Sequence, residues 1–126
     1  MSDSVRIAVT RDLFDEEGNL VIPGEGLGLF DRMPGVEYEV LAGIPPEIAP
    51  EQVAHCDMVI TAGIPWTTRS VADSGRLIAV LFMGVGYDHI DVAALTGAGV
   101  MLCTAPDAVR RPMAVTNMTH ILALAT

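Results

Sequence analysis

A chain of 126 residues suits one domain with a real core, and 51% apolar residues against 18% charged, at mean hydropathy +0.45, leaves more apolar surface than a small domain hides alone. A net charge of −9 with seven Arg and no Lys excludes the basic stripe that nucleic-acid binding needs. No run approaches the ~18 apolar residues of a membrane span, so no membrane partner is expected.

The apolar stretch Val5 to Thr10 (VRIAVT) predicts a first strand. Arg11 to Gly35 is irregular and rich in Gly and acids, with a helical turn predicted near Leu29 to Met33. Val36 to Leu41 (VEYEVL) alternates like a strand near a sheet edge. A short helical piece follows at Pro50 to His55, then a third strand at Asp57 to Thr61 and a short helix at Thr68 to Ser74. The apolar run Leu77 to Met83 predicts the fourth strand, Val92 to Ala98 a helix, and Val100 to Thr104 the last strand. Strands spaced in this way imply right-handed βαβ units. The expected fold is α/β, a flavodoxin-like five-stranded parallel sheet with helices on both faces.

From Pro112 onward the sequence is helical, with Pro suited to a first turn. Ala114, Met118, Ile121, Leu122 and Ala125 form one stripe, but Met113, Val115 and Leu124 lie off it. A helix apolar nearly all round is expected to be buried. With no C-cap Gly and no basic last turn, it is expected to be cut or to dock on something outside this chain.

The most informative segment is RLIAVLFMGVGYDHID, from Arg76 to Asp91. A strand stops at Gly84-Val85-Gly86, an acidic turn follows, and Asp91 stands where an N-cap for the next helix is needed. In parallel sheets ligands sit beyond such strand ends, and glycines let an anion approach backbone N–H groups. GVGYDHID resembles the GVGYDNID segment of the D-isomer-specific 2-hydroxyacid dehydrogenases. VMLCTAPDAVRRPMAVTNMTHILALA is similar to that family's strand, TPG turn and VAEHTIALML helix, without a gap. The resemblance runs from about Met58 to Thr126 and more loosely includes the first strand. Phe82 stands where the family usually has a polar residue, Asp107 replaces the Gly of TPG, and Val115 the Glu of VAEH.

The resemblance implies a substrate domain over residues 1–105, with 106–126 the start of a helix crossing to a nucleotide-binding domain. Backbone amides of Val85 and Gly86 would hold a substrate carboxylate, with Met83 and Gly84 shaping the approach. Gly63 and Ile64 belong to the loop matching the family's second substrate-facing segment, and Met113 matches a position near the nicotinamide. The implied reaction moves a hydride between NAD or NADP and a small D-2-hydroxy or 2-oxo acid, in a full-length homodimer. The family's catalytic Arg, Glu and His, and its GxGxxG loop, would lie after Thr126. No catalytic residue is therefore assigned here, and the chain alone is expected to be inactive.

Rival readings remain beside this one. Gly84-Val85-Gly86 could open a dinucleotide fingerprint, but His89 occupies the third glycine position. The loop could also be a purely structural turn. Trp66 could wall the cleft or simply pack, and Arg110-Arg111 could touch a cofactor or be solvated. A non-catalytic flavodoxin-like interaction or binding module is the alternative function. Its receiver-domain form lacks the late Lys and the Asp ending the third strand, although Asp12 and Asp15 could supply an acidic pair. Cys56 and Cys103 form no CxxC pair and the three His lack ligand spacing, so reduced buried thiols and no metal site are expected. Without a signal-like N-terminus the cytoplasm is the expected location.

Overall fold

Five strands run parallel in the order β2-β1-β3-β4-β5 in the computed structural model, which describes residues 4–125. They are β1 (Val5–Val9), β2 (Val36–Val40), β3 (Met58–Thr61), β4 (Ala79–Phe82) and β5 (Met101–Cys103). Met1 to Asp3 and Thr126 lie outside the described residues. The register pairs Val9 with Val40 and Ile60, Thr61 with Phe82, and Leu81 with Cys103. The chain order around the sheet is the flavodoxin-like one, with its switch point between β1 and β3.

Neighbours on both sides bury Ile7, Ala8 and Val9 of central β1 to 5% exposure or less, whereas Glu37 and Glu39 of edge strand β2 stay in solvent. The main core forms on one face. Ala8, Val59 and Val80 pack there with Val53 of α1 (Pro50–Val53), Val71 and Leu95 of α2 (Val92–Gly97). On the opposite face the cover is formed by 3-10 turns, Arg11–Leu13 and Leu27–Arg32, within the β1–β2 connection. Phe30 rests on Tyr38 with ring centroids 5.9 Å apart.

Local chemistry sets the ends of the short helices. Pro50 opens α1, where the Gln52 side chain accepts the Ala49 N–H at 3.1 Å. Asp91 caps α2 by accepting the Ala94 N–H at 2.9 Å. Gly99, at φ +72°, closes α2 with a reversed turn: Val100 N–H donates to the Leu95 carbonyl and Gly99 N–H to that of Thr96. Leu95 and Val100 then meet in the core, so the helix end and the next strand are fixed together.

The last helix begins earlier than its own residues suggested, at the position that the family resemblance implied. α3 spans Pro106–Leu124, beginning six residues before Pro112, because Pro106 already supplies a preset first turn. Pro112 falls inside it and leaves the Ala108 carbonyl without its usual N–H partner; Ala108 is exposed, so water can take that place. Instead of being buried, the helix has every residue from Arg110 to Ala125 exposed.

Candidate functional site

β4 delivers its carboxyl end into a loop held from two sides. The Met83 N–H donates to the Thr61 carbonyl at 2.9 Å, and the Gly84 carbonyl accepts the Ala105 N–H at 2.8 Å. Between these anchors and the Tyr87 turn, the N–H groups of Val85 and Gly86 have no partner among the described residues. Both residues are exposed. Two adjacent free peptide donors at the carboxyl edge of a parallel sheet are what a carboxylate requires.

At Gly84 a side chain would press on the tip of the Phe82 ring, which would have to shift. A Cβ there would stand 2.7 Å from the Phe82 ring, which therefore lies directly under the loop. Phe82 meets His89 edge-on, centroids 5.0 Å apart at 69°. His89 Nε2 lies 2.8 Å from the Ala62 carbonyl, which can only accept, so the ring donates from Nε2. His89 is thus a strut between the loops after β3 and β4. The backbone doubles the link: Trp66 N–H donates to the His89 carbonyl and Asp91 N–H to the Trp66 carbonyl, both at 2.9 Å.

The loop after β3 presents less than its sequence suggests. Gly63 is exposed, but its N–H donates to Asp12 Oδ2 at 2.6 Å. Ile64, 3% exposed, turns its side chain into the core cluster that also holds Trp66 and Ile90, so only its backbone faces the loop. Trp66, 1% exposed, packs in the core and does not wall a cleft, and its indole N–H finds no partner among the described residues. Asp12 is the residue that sequence reasoning missed as part of this site. It follows β1 at the switch point, and its Oδ1 is buried without a partner among the described residues. Asp12 stands three residues beyond Val9, and nothing local in the sequence ties it to Gly63.

Met83, 43% exposed, reaches from this loop to the rim of a cavity of about 420 Å³ on the second sheet face. Leu13, Phe30, Ile60, Leu81 and Phe82 line that cavity, which holds no cationic side chain and excludes Val85 and Gly86. It offers apolar shape, and the free N–H groups of Val85 and Gly86 lie outside it. Met113 is brought to neither loop; it lies on α3, 57% exposed. Arg110 is also exposed and pairs with Asp107 at 2.8 Å, one turn away.

A five-stranded parallel sheet with its switch point between β1 and β3 and helices packed on it defines an α/β domain. The chain belongs to the D-isomer specific 2-hydroxyacid dehydrogenase family: the model of that family's catalytic domain matches residues 8–119. Among curated proteins it is similar to the D-3-phosphoglycerate dehydrogenase of Methanocaldococcus jannaschii, 33% identical over 90 residues. That match covers 71% of this chain and 17% of the relative. Among solved structures it is similar to the NAD+-bound 3-phosphoglycerate dehydrogenase of Entamoeba histolytica (TM-score 0.64, 20% identity, 82% of this chain, 33% of that one). The apo D-mandelate dehydrogenase of Rhodotorula graminis matches at TM-score 0.64 and 16% identity, over 95% of this chain and 36% of the other. These two structures show the shared fold, and the chain spans about a third of their length.

Proposed function

We propose that this chain is the substrate-binding part of an oxidoreductase that moves a hydride between a nicotinamide cofactor and a small D-2-hydroxy or 2-oxo acid. The observation that carries the reading is the pair of free, exposed N–H groups at Val85 and Gly86. They would hold the acid's carboxylate, with Gly84 permitting close approach and Met83 closing the side. Gly63 contributes shape rather than charge, since Asp12 already takes its N–H. Holding the acid at one end orients C2, which is how a positioning loop accelerates a reaction it does not itself perform.

The residues described do not build a dinucleotide cradle. His89, at the third position of the glycine pattern, is fixed against Phe82 and the Ala62 carbonyl, where a pyrophosphate loop would need open backbone. NAD or NADP would therefore be bound mainly outside this chain, with Met113 of α3 the one side chain assigned to its nicotinamide side. The cofactor's part is to give or take the hydride. On this reading residues 1–105 are the substrate domain and 106–126 the helix leading away from it, in a homodimer of the full-length enzyme. No helix among the described residues is long and apolar enough to cross a membrane.

Thermal-shift titration with glyoxylate, hydroxypyruvate and D-lactate tests the reading. Gly86→Pro deletes one donor, whereas Gly86→Ala keeps it and meets nothing within 4 Å. Loss of a hydrogen bond to a charged group, about 1.5–3 kcal/mol, should weaken binding roughly 10-fold or more in the Pro variant only. No stabilisation of the parent chain by any of the acids, or equal binding by both variants, would sink the proposal. In that case the exposed α3 would favour a non-catalytic interaction module.

A further inference from the structure

Away from the crevice, beside the edge strand β2, Glu39 meets His55 and Cys56 from the turn between α1 and β3. Their ligand atoms all lie within 4.8 Å of one another. We propose that Glu39 Oε1, His55 Nε2 and Cys56 Sγ form a three-residue site for a zinc-like divalent cation.

The donor set is the first argument. One thiolate, one imidazole and one carboxylate suit Zn²⁺ better than Mg²⁺ or Ca²⁺, which select oxygen alone. Geometry is the second. Tetrahedral bonds of about 2.3 Å to sulfur and 2.0 Å to oxygen put those atoms about 3.5 Å apart. Cys56 Sγ and Glu39 Oε1 are separated by 3.6 Å. His55 Nε2 now contacts Glu39 Oε1 directly, and a small rotation of either exposed side chain opens that edge. The third argument is support and access. Cys56 is fully buried and its N–H is tied to the Val53 carbonyl at 3.0 Å, so one ligand is rigid while two can close on the ion. A separate cavity of about 300 Å³ reaches Glu39 and His55 and leaves room for a water as fourth ligand.

The charges around the site are mixed. Glu37 and Arg6 line the same cavity, and Arg6 opposes a cation. Asp57, next to Cys56, is not available as a ligand because it accepts both the Arg76 guanidinium, at 2.7 and 2.9 Å, and the Arg6 N–H. Burial, and then the Glu39 charge, push the Cys56 thiol up to about 11. A bound dication reverses that balance: the thiol gives its proton to solvent as the metal–sulfur bond forms. The net charge of −9 draws cations toward the chain in general.

The probe is Co²⁺ added to the full chain, followed by displacement with Zn²⁺. The expected result is one equivalent bound, with a thiolate-to-cobalt charge-transfer band in the near ultraviolet that persists in Cys103→Ser. The band should vanish in Cys56→Ser. His55→Gln should weaken binding by more than the ~10-fold typical of losing an outer contact. Should Cys56→Ser fold poorly, the parent spectrum and the Cys103→Ser variant still decide the matter. Absence of a charge-transfer band in the parent, or its loss with Cys103, would overturn the site.

Discussion

Asp91 closes the N-terminus of α2 through the Ala94 N–H, so Asp91→Ala should cost about 1 kcal/mol, while Asp91→Ser should recover most of it. Urea unfolding of the two variants checks this. Gly75 is more demanding: it adopts φ +56°, and a Cβ would stand 2.3 Å from the Ala54 carbonyl oxygen. Gly75→Ala combines a strained backbone with a clash against main chain, and should lower stability by at least ~2 kcal/mol in the same measurement. At this scale the sequence was unevenly legible. Asp91 could be read because a cap needs only its own helix, three residues away. Asp12 could not, because its partner Gly63 lies 51 residues along the chain. The direction of the Ile64 side chain was equally illegible, because position in a loop does not say which way an apolar side chain turns.

The strands were legible as elements because the parallel sheet buries them as continuous apolar runs, and β4 and β5 fall inside the stretches their composition marked. The start of α3 was not legible from its residues alone, since Pro106 and Pro112 are both compatible with a first turn; only the family resemblance pointed to 106. The start of β3 carries the clearest pH response. The Arg76 guanidinium beside Asp57 holds its carboxyl below the usual carboxylate value, helped by the Arg6 N–H. A depressed folded value means that Asp57 stabilises fully above the unfolded value of ~3.9. That contribution fades as pH falls through the lower, folded value. Urea midpoints measured between about pH 5 and pH 2 should therefore fall more steeply for the parent than for Asp57→Asn.

Across the whole molecule the apolar material is divided between one face of the sheet and a helix that nothing covers. Leu95, 2% exposed, belongs to the first group, and Leu95→Ala should cost about 2–5 kcal/mol. Ile121 and Leu122, near 60% exposed, belong to the second. Replacing either with Gln should change the unfolding free energy of the isolated chain by no more than ~0.5 kcal/mol. Equal penalties in the two groups would show that α3 folds back onto the sheet in solution. This division also bears on how α3 was read, since its burial was expected only against something outside this chain. Composition announced surplus apolar surface, but burial of α3 could not follow from a chain that supplies no surface to bury it.

The root of α3 is pinned where Ala105 donates to Gly84, the residue that precedes the two free donors. Nineteen helical residues at ~1.5 Å each make a rod about 28 Å long. A tilt of only ~5° at that pin sweeps the far end through roughly 2.5 Å. The peptide that frames the loop after β4 is thus also the base of a long lever, and any change in its orientation would be largest at the far end of the helix.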